Sequence, residues 1–474
     1  MTHPWNVLES WALRQPEHPA LIEGERVITY DALHRQVGAI GARLRARGLM
    51  PGQRLAVALP NGIPFILAYL GAFHAGLTLI PLNPDAPPEA LDQLLALSRP
   101  HFFLRSEHLA LLTDEPSGER LPFVAEQPEI GAIFFTSGTT GTPKGVCHDV
   151  GTLIDNVRAF NEMVGLGNGC RMLHVLPMFY MAGFLNTVLS PLVAGGAVVI
   201  APRFTPQTAL AFWKPAMAGA IDTAWLTPTM LAMLTRLYRE SAVSNWCREH
   251  LTRLFVGTAP LPATVRDAFA DRFGVAPLES YGMTEVLLTA THLPGVAGAA
   301  ASAGKLLPGV IMEADGGQDE ENHPELKIVT PYRMKGYWVA PEEPLISGFG
   351  RSFSTGDCGY VDEAGYLHIT GRLKDLIIRG GVNVSPRAVE EVLLRHPAIA
   401  ELCVLGMPHT MLGEEVAAWI VLKPDCPEEV ARRELPEFAR RHLVADAAPT
   451  LWRFVAALPR NATGKVVKQA LRTS

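Results

Sequence analysis

The stretch "FFTSGTTGTPKGV", Phe134–Val146, decides how the rest of the chain is read. Ten of its thirteen residues are Gly, Ser, Thr, Pro or Lys, and they follow an apolar run (Ile130, Ala132, Ile133, Phe134, Phe135) that reads as a buried strand. Such a loop adds nothing to a core. Successive backbone N–H groups in a Gly-rich turn form a concavity for anions, Ser and Thr hydroxyls add donors, and Lys144 adds a charge. The ligand these groups suit is a polyphosphate. A Walker A motif has Gly before its Lys and Ser or Thr after it. Here Pro143 precedes Lys144 and Gly145 follows, so the loop is of another kind. "GLGNGC" at 165–170 fails the dinucleotide pattern too, with Cys170 where the last Gly belongs.

Outward from the loop, short apolar runs alternate with helical patterns up to about residue 370. "AVVIA" (197–201), "TAWLT" (223–227) and "RLFVG" (253–257) read as strands, and Thr229–Arg239 and Pro262–Phe273 as helices. This alternation indicates α/β architecture with largely parallel sheets. Leu55 to Pro84 carries no Asp, Glu, Lys or Arg, but Pro60, Gly62, Pro64, Gly71, Gly76 and Pro81 divide it. It reads as a strand (Leu55–Leu59), a helix capped by Asn61 and a strand (Leu77–Pro81): a buried βαβ unit and not a membrane span.

Beyond residue 375 the texture changes. "VSPRAVEEVLLRHP" has Ser385 as N-cap and Pro386 at the first helical position, followed by strand-like "AELCVLGM", the apolar run Val416–Leu422, a charged helix Glu428–His442 and a last strand Trp452–Ala456. The expected organisation is a large N-terminal multi-sheet α/β domain (1–371), a hinge in "GRLKD" (372–375) and a small C-terminal α+β domain (376–474). With 474 residues, more than one domain is expected. A net charge of −6 argues against nucleic acid or an anionic membrane as partner. Six scattered cysteines without a CxxC pair, and an N-terminus without an apolar leader, lead to the expectation of a cytoplasmic protein with free thiols.

Thr136–Gly145 resembles the phosphate loop of the adenylate-forming superfamily: acyl-CoA synthetases, peptide-synthetase adenylation domains and firefly luciferase. "GTAPL" (257–261), "YGMTE" (281–285), "STGDCGYVDEAGYLHITGRLKDLIIRGGVNVSP" (354–386) and "LPRNATGK" (458–465) are similar to its other signatures, in the same order. The resemblance covers the chain from Phe134 to its end. It implies that a carboxylic acid reacts with ATP to give an acyl-adenylate and pyrophosphate, and that a thiol then displaces AMP.

The resemblance also implies roles. Thr136, Ser137, Gly138, Thr139, Thr140, Gly141 and Lys144 would hold the β- and γ-phosphates. Glu285 would bind Mg²⁺, a hard cation that takes carboxylate oxygen, and Thr284 would donate to the α-phosphate. Tyr281 with Gly282 and Met283 would lie against one face of adenine, and Gly257, Thr258, Ala259 and Pro260 against the other. Asp357 would accept from both ribose hydroxyls and Arg372 would reach ribose or phosphate. Lys465 would be the catalytic lysine, offsetting repulsion as the carboxylate meets the α-phosphate. Lys374 would be the hinge about which the small domain turns between the half-reactions, and Ile378–Asn383 would then face the adenylate.

Tyr180, Met181, Gly183, Trp225 and Val256 are candidate acid-pocket residues. In amino-acid-activating members an acidic residue pairs with the substrate ammonium just after the Phe of "PMFYMAGF" (177–184). Tyr180 stands there, where acyl-CoA synthetases usually have His. An uncharged aliphatic or aromatic acid is expected, because a buried ammonium would have no partner. Trp225 either shortens this pocket or is a plain core residue. The acceptor is CoA or the phosphopantetheine arm of a carrier protein. A catalytically inactive nucleotide-binding protein is the alternative of another class.

Overall fold

The computed structural model describes residues 3–113, 128–136, 143–296, 298–299, 301–314, 324–339, 345–347, 350–460 and 466–472. Three sheets precede Arg372 and one follows it. The largest has nine strands, and its centre is parallel: Leu278–Met283, Arg253–Val256, Thr223–Leu226, Arg171–His174, Ala197–Ile200 and Pro19–Glu23 run the same way. The second has six strands and holds the phosphate-loop hairpin at one side, Ala132–Thr136 pairing antiparallel with Lys144–His148. The third is a four-stranded antiparallel sheet that includes Phe353–Val361 and Leu367–Arg372. One apolar core joins the two large sheets and the helices between them.

The uncharged stretch is the expected βαβ unit: Arg54–Val57, helix Ile63–His74 and Thr78–Pro81, with the strands parallel in the six-stranded sheet. Apart from Pro64, every residue of that helix is buried, which accounts for the absence of charge. The helix sits tightly on helix Tyr30–Ala46, since a Cβ on Gly71 would meet Ile40 Cγ2 at 2.4 Å. The expected cap is corrected. Gly62 occupies the N-cap position, and Asn61 instead donates to the Leu176 carbonyl (2.7 Å), accepts from Met178 N–H (3.0 Å) and contacts His174 Nε2 (3.1 Å). Its side chain fixes a loop more than a hundred residues away.

The small unit beyond Arg372 has its own sheet, in which the long hairpin Ile399–His409/Gly413–Leu422 is joined by Leu451–Phe454 running parallel. Helices Pro386–Leu393 and Glu428–His442 cover one face. The other face has a separate cluster around Trp419 and Leu458. Ser385 caps the first helix, accepting from Ala388 N–H, and its hydroxyl donates to Thr370 O (2.7 Å) across the junction. Gly380 and Gly381, both at positive φ, form the two-residue turn of a small hairpin, a conformation that demands glycine. The junction itself, Leu373–Asp375, is a single 3₁₀ turn. Among the described residues no helix is long and apolar enough to cross a membrane.

Candidate active site

The carboxyl ends of three parallel strands converge on a cleft of about 2140 Å³ between the large and small domains. Ligands of open α/β sheets bind there, where loops leave the strands and the sheet leaves room. Trp225, the turn Gly257–Pro260 and the segment Tyr281–Glu285 line it, each just inside or past the end of its strand.

Two groups of side chains organise the cleft. In the first, the buried Asp357 accepts from Tyr281 Oη (2.6 Å) and from Arg372 Nε (2.8 Å). Burial, with Asp357 beside it, holds the Tyr281 phenol well above its usual range, so it remains a donor. Tyr281 therefore braces Asp357 as well as facing the cleft. Each Asp357 oxygen still has a lone pair for a further donor, since a carboxylate offers about four acceptor directions. In the second group, Glu285 Oε1 accepts from Tyr337 Oη (3.0 Å), and the Lys144 ammonium lies 5.3 Å from the centre of the Tyr337 ring. Tyr337 was not singled out from the sequence, where it stands between motifs with no chemical signal of its own.

His148 is a second residue that the sequence did not flag. It is fully buried, and its Nε2 donates to the Thr284 carbonyl (2.7 Å), which fixes the tautomer because a carbonyl can only accept. Burial lowers its pKa to about 4, so it stays neutral. Met334 N–H donates to Glu285 O (2.8 Å), so both backbone carbonyls of Thr284–Glu285 are clamped. Thr258 stands at φ +70°, a strained position for a β-branched residue, and its Oγ1 is buried without a partner among the described residues.

Thr136 and Lys144 face each other across the hairpin that carries the phosphate loop. Ser137, Gly138, Thr139, Thr140 and Gly141 lie outside the described residues, as does Lys465. The neighbours of Lys465 are described: Arg460 and Val466 pair as a β-bridge, and both line the cleft. Arg460 bridges the domains, donating to Glu401 Oε2 (2.7 Å) and to Thr229 Oγ1 (3.2 Å) on the large domain. Lys468 Nζ pairs with Asp375 of the junction at 2.6 Å. Lys374 also lines the cleft, and burial lowers its pKa.

Of the expected acid-pocket residues, Tyr180, Met181 and Trp225 line the cleft. Two do not reach it. Val256 is sealed in the sheet core, and Gly183 packs so closely on the Pro177 carbonyl that a Cβ would lie 2.0 Å from its oxygen. The segment after Tyr180 runs from a helical turn, Met181–Phe184, into a π-turn, Leu185–Leu189, which brings Leu185 and Asn186 onto the cleft wall. The hairpin at Gly380–Gly381 lies away from the cleft in this arrangement of the domains.

Comparison with known proteins agrees with this geometry. Residues 8–338 match the profile of the AMP-binding enzymes, and residues 388–465 that of the AMP-binding enzyme C-terminal domain. A sulfoacetate–CoA ligase of Cupriavidus necator is 32% identical, the alignment covering 97% of this chain and 95% of that protein. A fatty acid–[acyl-carrier-protein] ligase, ScoC, of Streptomyces coeruleorubidus is 30% identical over 97% of this chain and 94% of its own. Among solved structures, ATP-bound MatB from Rhodopseudomonas palustris superposes with a TM-score of 0.88 at 26% identity, covering 100% of this chain and 99% of that one. The apo form of MatB superposes with a TM-score of 0.78, again at 26% identity and the same coverage.

The chain belongs to the family of AMP-binding enzymes, the adenylate-forming superfamily. It is an AMP-forming acid–thiol ligase of the acyl-CoA synthetase kind, using ATP and CoA.

Proposed function

We propose that this enzyme activates an uncharged, largely apolar carboxylic acid as its acyl-adenylate in the cleft described above and then passes the acyl group to CoA. The observation that carries this reading is the convergence on one cleft of Lys144, Glu285, Asp357 and Arg372 from the large domain with Arg460 and Val466, which flank Lys465, from the small one. Asp357, braced by Tyr281 and Arg372, holds the ribose. Thr258 and Tyr281 bound the adenine. Lys144 and the loop around it hold the leaving pyrophosphate.

The residues present fit a magnesium ion. Glu285 has one oxygen engaged by Tyr337 and the other free among the described residues. Mg²⁺ is commonly held by one or two carboxylates together with substrate phosphates and water. Among the described residues there is no cluster of three His, Cys, Asp or Glu that would make a closed protein cage, which accords with a cation shared with the nucleotide. When bound, it neutralises phosphate charge. His148 positions Thr284 and Glu285 through the Thr284 carbonyl.

Lys465 is the group assigned to the charge that develops as acid oxygen meets the α-phosphorus. The higher TM-score against ATP-bound than against apo MatB supports the view that the domains stand here as in a nucleotide-bound state. Thioester formation would use another orientation, reached by turning about Lys374. The residues on the acid side, Tyr180, Met181, Ala182, Leu185 and Trp225, offer no charge to a substrate ammonium. Burial, with Glu285 nearby, keeps the Tyr180 phenol protonated. All six cysteines are free, which suits the cytoplasm.

The test is a panel of carboxylic acids assayed by acid-dependent pyrophosphate release. Aliphatic and aromatic acids should be active and free α-amino acids inactive. An α-amino acid as the best substrate would overturn the assignment of the acid pocket.

A further inference from the structure

On the acid side of the cleft, two polar groups stand in an otherwise apolar wall. The π-turn Leu185–Leu189 brings Asn186 there beside Leu185. Turns of this kind are rare and are frequent at functional sites. Buried contacts fix its shape: His174 Nδ1 meets Thr187 Oγ1 at 2.7 Å, and that hydroxyl donates to the Gly183 carbonyl at 2.7 Å. Asn186 is only 4% exposed, and its carboxamide makes no hydrogen bond among the described residues.

The turn packs on the strand Thr223–Leu226, whose Trp225 belongs to the same wall. Trp225 is 1% exposed, and its Nε1 is buried without a partner among the described residues. Its ring cannot easily turn away, being stacked on Phe255 with centroids 5.2 Å apart and packed against Phe160 at 5.5 Å. The N–H edge faces Gly257, another residue of the cleft wall: a Cβ there would stand 3.5 Å from Nε1. A glycine at that position keeps a side chain from coming between the indole and the cleft.

An unpaired buried donor is costly, and a hydrocarbon chain gains nothing from one. Phe in place of Trp225 and Leu in place of Asn186 would line the wall for such a chain without that cost. The neighbours Tyr180, Met181, Ala182 and Leu185 supply no cation, so a second anionic group on the acid would lie there without a counter-charge. A hydroxyl meets both needs, since it accepts from an N–H and donates to a carbonyl oxygen. We infer that Trp225 and Asn186 are specificity-determining residues that select an acid bearing an uncharged hydroxyl on its chain or ring. The hydroxyl accepts from Trp225 Nε1 and donates to Asn186 Oδ1. The inference rests on the acid-pocket reading given above and narrows the acid it describes.

The experiment compares matched acids by the kcat/KM of pyrophosphate release. Benzoate is set against its para-hydroxy and para-methyl derivatives, and butanoate against its terminal hydroxy and terminal methyl derivatives. Wild type should favour the hydroxy over the methyl derivative on at least one skeleton by at least about tenfold, chiefly through the KM for the acid. Asn186→Leu and Trp225→Phe should each shrink that preference, and the double variant should turn it toward the methyl derivative. Asn186→Gln, which keeps the carboxamide, should retain more of the preference than Asn186→Leu. The KM for ATP checks that each variant is folded; if Trp225→Phe fails to fold, the two Asn186 variants decide. Preference of wild type for the methyl derivative on both skeletons would overturn the inference. So would a hydroxy preference undiminished in the variants that fold. No pyrophosphate release with any acid would sink the ligase reading, and an α-amino acid as best substrate would sink the acid pocket. A plain hydrocarbon acid as best substrate would sink this inference alone.

Discussion

Glu285 joins the hydroxyl of Tyr337 to the expected metal position, and so its charge and its shape can be separated. Glu285→Gln retains an acceptor for Tyr337 and removes the charge. Pyrophosphate release should fall sharply and need more Mg²⁺ for half-maximal rate; a Mg²⁺ titration superposable on wild type would rule out the role. Thr258 is the other residue whose conformation makes a claim. A β-branched side chain at φ +70° stores strain that glycine would not, although glycine also widens the unfolded ensemble. Thr258→Gly should therefore leave a net gain of about 1 kcal/mol in unfolding free energy. An unmoved or lowered denaturation midpoint would mean that the turn is not strained. Residues of this kind divide by how visible they are before folding. Asp357 and Glu285 stand in motifs whose residue types announce their chemistry. Tyr337, His148 and Asn61 owe their parts to contacts with segments 52, 136 and at least 113 residues distant, which no local pattern carries.

At the scale of elements, the segment that carries Lys465 and the 3₁₀ turn at Leu373–Asp375 are tied together by the Lys468–Asp375 pair. The two half-reactions should respond to this region in opposite ways. Lys465→Ala should slow acyl-adenylate formation by on the order of 10²-fold to 10³-fold, the scale of one transition-state contact. It should still turn supplied acyl-adenylate and CoA into thioester. Lys374→Pro, which fixes φ in the turn and restricts Leu373, should spare adenylation and depress thioester formation. Rates of both steps in both variants decide the matter: equal losses in Lys465→Ala, with the fold retained, would refute alternation. Most strands and helices were legible from periodicity, and the charged helix Glu428–His442 has the expected bounds, its interior Pro436 notwithstanding. The π-turn at Leu185–Leu189 was not, because its Leu, Asn, Thr and Val residues set no period that differs from the helical turns on either side. Polar contacts hold it: His174 Nδ1 meets Thr187 Oγ1 at 2.7 Å, and that hydroxyl donates to Gly183 O.

For the whole molecule, two classes of buried titratable group bear on stability with opposite sign. Burial lowers His148 to about 4, and His74 and His174 to about 3. Their unfolded counterparts take up protons near pH 6.5, so stability from this source is complete above that pH and is lost as pH falls toward 3–4. Burial raises Glu279 and Glu390 to about 7. The folded state keeps those protons where the unfolded chain has released them, so their contribution is full below about pH 4.5 and fades as pH rises through about 7. Glu279→Gln/Glu390→Gln should consequently raise Tm relative to wild type at pH 8 and give no such gain at pH 4. A Tm difference independent of pH would show that neither carboxyl is shifted.

The separate apolar cores on either side of the 3₁₀ junction have a consequence for cooperativity. Two bodies joined by one turn and a few polar contacts, such as Arg460 to Thr229, can melt independently. A ligand gripped by both would couple them, since it is lost when either opens. Differential scanning calorimetry of the free enzyme should show two overlapping endotherms, the smaller from the C-terminal unit. A non-hydrolysable acyl-adenylate mimic should shift the two upward and draw them into one. A single sharp endotherm in the ligand-free protein would mean that the cleft is already sealed as one cooperative unit, and that opening it requires partial unfolding, not a swivel.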